Sequence, residues 1–179
     1  MNLSDVIAIF STCISIVAMG WAAQSYFAAQ QSADAADRSA HEAKQANRLE
    51  LHIHQKELFF AYQNLSRHLL LKGRAMEAQE VAKFYDFAIT APLYLPELLA
   101  SQVKGLFDAC FNVADINHQI VADQTYINDL MRVSPGAPVP PEILKSLAED
   151  QTKQGAQLRL ARQFDLLVKQ GLLAELKLV

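Results

Sequence analysis

Between Asp5 and Asp34 the chain carries no charged side chain, and the run Val6 to Phe27, VIAIFSTCISIVAMGWAAQSYF, is mainly apolar. At a rise of about 1.5 Å per helical residue, about 20 such residues cross the ~30 Å hydrocarbon layer of a bilayer. The run therefore reads as the one transmembrane helix, and whatever follows is held at a membrane surface. Ser11, Thr12, Ser15 and Gln24 interrupt it, but a helical hydroxyl bonds to a carbonyl one turn back, which keeps its cost in lipid modest. Two other readings compete. A cleaved signal peptide would begin with a basic region, whereas no Lys or Arg precedes Arg38. A buried core helix is the second, since apolar stretches also occur in soluble bundles.

Positive charge near a span sets its orientation. Arg38 and Lys44 follow the run, with Arg48 just beyond, and nothing balances them on the amino side. The expectation is an inner (cytoplasmic) membrane protein with its N-terminus outside and its C-terminal domain in the cytoplasm. Trp21, Tyr26 and Phe27 gather at the carboxyl end of the run, where an aromatic belt meets the headgroups.

Of the 19 acidic residues all but Asp5 follow the run, together with all 16 Lys and Arg, so the remainder is nearly balanced. Such a surface gives no electrostatic reason to bind nucleic acid. Cys13 lies inside the run and Cys110 on an apolar helical face, with no paired spacing between them. Only 6 glycines in 179 residues, and few β-branched runs outside the span, argue for an all-α chain. The fold expected is an N-terminal transmembrane helix continuing into a long helical stalk, followed by an antiparallel helical bundle.

The periodicities divide the chain into an anchor (1–27), an Ala-rich helical stalk (28–48), a helical domain (49–133), a Pro-rich linker (134–141) and a C-terminal helix with its tail (142–179). In the stalk, Ala22, Ala29, Ala33, Ala36, Ala40 and Ala43 recur in steps of seven, four, three, four and three, with Tyr26 filling the first gap. A seam of small residues at this repeat lets two helices approach closely. Gln30, Asp34, Asp37, Arg38, Glu42 and Lys44 occupy the other faces. A merely polar helical spacer is the competing reading, because an alanine seam buries little area.

In the domain, Leu51, Leu58, Tyr62, Leu65 and Leu69 share a helical face, and Gly73 is placed to cap it. Met76, Val81, Phe84, Tyr85 and Ala88 predict a shorter helix ending before Pro92. Pro96 opens the longest soluble helix, which runs to about Arg132 with Leu98, Leu99, Val103, Leu106, Phe107 and Cys110 on its buried side. After SPGAPVPPE, a final helix starts at Pro141 and is capped at Gly171; its polar middle, AEDQTKQGAQ, predicts a solvent-facing stretch or a kink at Gly155.

No phosphate loop, zinc-ligand spacing or nucleophile elbow is present in the sequence. His52 and His54 are two apart and point away from each other on a helix. Asp108 and Asp115 are seven apart, about 10 Å along a helix, too far to share a proton. The chain is expected to be no enzyme and to use no metal or cofactor. At ANRLELHIHQKELFFAYQNL (Ala46 to Leu65) and APLYLPELLASQVKGLFDA (Ala91 to Ala109) it resembles small bacterial single-pass membrane proteins of unknown function, over roughly residues 5–120. In that set an anchor and an Ala-rich helix lead into an Asn-Arg-Leu-x-Leu-His junction and a cytoplasmic helical domain. The set commonly has a proline soon after the junction histidine, where this chain has His54 and Gln55. The resemblance implies the architecture and no activity.

The function expected is a membrane-anchored interaction module whose partners are the lipid bilayer and either further copies of itself or another membrane or cytoplasmic protein. The alternative is an oligomeric membrane effector in which Ser11, Thr12 and Ser15 line one side of a pore.

Overall fold

The computed structural model describes residues 3–136 and 138–177, with side chains from residue 15 onward except 17 and 177. It is all-helical, and no strand occurs among the described residues. The elements are α1 (Leu3–Lys72), a 3-10 turn (Gly73–Ala75), α2 (Ala78–Ala82), α3 (Tyr85–Tyr94), α4 (Glu97–Val133) and α5 (Pro141–Lys177). The chain divides into two compact units, Met1–Glu50 and Leu51–Val179.

Among its described residues the first unit is helix alone. Every described side chain from residue 18 to residue 50 is exposed, including Trp21 at 73%. No helix among the described residues is long and apolar enough to cross a membrane. The side chains of residues 6–14 and 17, which make up much of the Val6–Phe27 run and include Ser11 and Thr12, lie outside the described residues.

The second unit is a helical bundle with one apolar core. Leu58, Tyr62, Leu65 and Leu69 of α1 enter it at helical spacing, meeting Leu99, Val103, Leu106 and Val113 of α4 and Leu158, Ala161, Val168 and Leu172 of α5. α4 and α5 pack antiparallel: Leu99 lies on Gly171, Phe164 on Gly105, and Gln154 reaches the carbonyl of Val113. The two glycines are what allow this approach. A Cβ at Gly105 would stand 2.6 Å from the Phe164 ring, and one at Gly171 would overlap Leu99.

Several sequence expectations need correction here. Gly171 does not cap α5, which continues to Lys177 with Leu172 buried beyond it. α5 is continuous through Gly155, and its polar stretch is mostly exposed, with Asp150 and Gln154 buried. The region before Pro92 is two helices rather than one, and α3 carries Pro92 inside its last turn. Only the hydrogen bond to the carbonyl four residues earlier is lost there, while Ala88 and Ala91 hold the helix on the core. Leu98, expected on the buried side, is 73% exposed. Gly73 does end α1, at φ +54, and Pro96 does stand at the start of α4.

Candidate functional site

In the first unit the structure adds a second row to the alanine seam. Ser25 Oγ donates to the carbonyl of Trp21 at 2.8 Å, Ser32 to that of Ala28 at 2.8 Å, and Ser39 to that of Ala35 at 2.9 Å. These serines follow Ala22, Ala29 and Ala36 by three residues each and continue in Ala46 after Ala43. Ala22, Ala29, Ala36 and Ala43 thus form the centre line of a stripe. Ser25, Ser32, Ser39 and Ala46 flank it on one side, and Tyr26, Ala33 and Ala40 on the other.

The hydroxyls matter because their protons are already used within the helix. A second helix laid against the stripe would meet small groups, Tyr26 apart, and serine hydroxyls whose protons are already used. The remaining faces carry Gln30, Gln31, Asp34, Asp37, Arg38 and Lys44, and the side chains of His41 and Gln45 hydrogen-bond there at 3.0 Å. The serine row was missed because serine reads as polar by type, yet its strict seven-residue spacing was there to be counted.

The expected membrane-interface residues Trp21, Tyr26 and Phe27 are all exposed, with the Tyr26 and Phe27 rings in edge contact at 6.1 Å. Of the expected pore strip only Ser15 has a described side chain, and it is exposed; Ser11 and Thr12 lie outside the described residues.

The second unit is tied internally by a few buried polar groups. Tyr62 on α1 donates to the Asp165 carboxylate on α5 at 2.9 Å and lies 3.1 Å from the Asp165 carbonyl. Burial, then the bond to Asp165, pushes the phenol well above its ordinary range. Burial also pushes the Cys110 thiol up to about 12, with a smaller push from the Asp165 charge. A thiol held protonated is no nucleophile near neutral pH. Gln154, 2% exposed, donates to the carbonyl of Arg74 at 2.8 Å, and Gln55 donates to that of Tyr94 at 3.1 Å. The His54 ring stacks on Tyr94 at 4.6 Å. These contacts fix helices to one another and bring no base to a nucleophile.

Asp108 and Asp115 are both on the surface. Among the described residues no group of three or more His, Cys, Asp and Glu side chains could hold a metal ion. A cleft of about 470 Å³ between α1 and the α2–α3 region has Arg67, His68, Glu80 and Lys83 in its wall. Its charges are largely matched: Lys83 pairs with Glu80 at 2.6 Å and holds that carboxyl below its usual range, and His68 Nε2 accepts from the Glu77 amide at 3.2 Å.

Comparison with protein-family models, with curated proteins and with solved structures finds no match.

Proposed function

We propose that the chain is a membrane-anchored interaction module. The Val6–Phe27 helix holds it in the inner membrane with its C-terminal domain in the cytoplasm. Copies associate through the stripe centred on Ala22, Ala29, Ala36 and Ala43. The observation that carries this reading is the exposure of every described side chain from 18 to 50. A helix this long in globular proteins draws its stability mainly from packing one face. Between residues 22 and 47 the face free of charge is the small-residue stripe, with Tyr26 as its one bulky residue.

Membrane insertion strengthens the case for self-association. Copies entering a bilayer from the same side are parallel and start at the same depth, so equivalent heptad positions meet without any register search. Confinement to the bilayer also raises their effective concentration, which offsets the small area that alanine buries.

The test is fractionation followed by mass measurement in mild detergent. The full chain should sediment with membranes, require detergent for release and run as an oligomer, and Ala29→Arg with Ala36→Arg should convert it to a monomer that still sediments with membranes. A strictly monomeric wild type without a co-purifying protein contradicts the assembly; recovery in the aqueous fraction without detergent contradicts the anchor.

A further inference from the structure

The polar middle of α5 faces the 3-10 turn across an open cleft of about 640 Å³, with Arg74, Gln151, Thr152, Gly155, Arg159 and Arg162 in its wall. Arg159 and Arg162 stand four and seven residues after Gly155, on one side of the helix. The guanidinium of Arg74 joins them from the other element: a Cβ at Gly155 would be 3.4 Å from Arg74 Nη2. Its backbone is fixed as well, since the carbonyl of Arg74 receives the bond from buried Gln154 at 2.8 Å and the preceding Gly73 makes the turn at φ +54.

The charge at this cleft is unbalanced. Among the described residues no carboxylate forms an ion pair with Arg74, Arg159 or Arg162. The acids of α5 nearest in sequence are directed elsewhere: Glu149 to Lys145 at 3.9 Å, Asp150 to Lys153 at 3.4 Å and Asp165 to Tyr62 at 2.9 Å. Three exposed guanidiniums lining one cleft, with no carboxylate paired to them, draw an anion into it. Their planar donor forks match the oxygens of a phosphate group, which accepts several charge-assisted hydrogen bonds at once.

The geometry points to a binding site for a phosphate monoester dianion, held by Arg74, Arg159 and Arg162. The phosphate belongs either to a soluble molecule or to a lipid headgroup, and the chemistry of recognition is the same. The site stands on the second unit alone and does not depend on the proposed anchor or stripe.

The test is phenylglyoxal modification of the full chain, read arginine by arginine by mass spectrometry, with exposed Arg132 on α4 as the internal reference. In phosphatidylcholine vesicles, inorganic phosphate should slow modification of Arg74, Arg159 and Arg162 and leave Arg132 unchanged. Replacing part of the lipid by phosphatidic acid, without free phosphate, should protect the same three if the source is a headgroup; protection by inorganic phosphate alone assigns a soluble source. In the R159Q/R162Q double variant, the phosphate concentration needed to protect Arg74 should rise about tenfold to a hundredfold, as expected for losing charge-assisted bonds. K145Q, whose side chain pairs outside the cleft, should match wild type. Equal modification of all four arginines with and without either phosphate source overturns the proposal, as does unchanged protection of Arg74 in the double variant.

Discussion

Three glycines of similar sequence appearance have different consequences in the bundle. Gly105 and Gly171 sit where α4 and α5 touch, with Phe164 and Leu99 filling the space a side chain would need. Gly105→Ala should therefore destabilise the chain by about 1–3 kcal/mol, the usual cost of overpacking, as read by urea denaturation. Gly155→Ala meets only Arg74 Nη2 at 3.4 Å, an ordinary contact. The same measurement should find it neutral or stabilised by up to about 1 kcal/mol, because alanine is the better helix former. Sequence cannot separate these cases. A glycine near the end of an apolar repeat reads as a cap, and only the neighbouring helix reveals that Gly171 serves a close approach.

Cys110 and Tyr62 set the response to alkali. Both hold their protons more tightly in the bundle than in an unfolded chain, the thiol up to about 12 against an ordinary 9.0. The resulting stability is complete below the unfolded thiol value and is lost as pH rises from 9.0 towards 12. Denaturation midpoints should be flat with respect to these two groups below about pH 8 and fall above about pH 9. Cys110→Ala should remove part of that slope. Iodoacetamide at pH 8 should leave Cys110 unmodified until the chain is unfolded; rapid native labelling would show the thiol to be accessible after all.

Among the helices, α4 was the most legible. Pro96 marks its start, and apolar residues recur every three or four positions to its end, so both local chemistry and packing point the same way. α5 was legible at its start, Pro141, but not at its far end, where the helix runs past Gly171 to Lys177. Its middle looks solvated because Asp150 and Gln154 are polar, yet both are buried, and Gln154 is held inward by its bond to the carbonyl of Arg74, far away in sequence. Gln154→Leu would keep the volume and leave the Arg74 carbonyl without its donor. It should cost about 1–3 kcal/mol, seen as a lower urea midpoint, whereas Gln151→Leu on the exposed side should change little. The break between α2 and α3 was hidden for a similar reason: Val81, Phe84 and Ala88 keep a helical spacing across it and all reach the core.

For the molecule as a whole, the two units pose different physical problems. Leu51–Val179 has an interior in which its helices bury apolar faces against one another. Met1–Glu50 has no described side chain that is buried. It combines an apolar run with a stripe of alanine and serine, and the two features make sense together if bilayer and sister copies are its solvent and its partner. The periodicity of the stripe is written in the sequence, as alanine and as the serines seven apart; only the turning of the serine protons back on the helix needed the structure.

Disulfide trapping in intact membranes distinguishes this arrangement from a bare polar spacer. Single cysteines are placed at Ala36, on the centre line, or at Arg38, on the opposite face, in a chain carrying Cys13→Ser and its buried Cys110. A cross-linked dimer is expected from Ala36→Cys and none from Arg38→Cys under the same mild oxidation. Equal cross-linking at both positions, or at neither, would rule out pairing through the stripe.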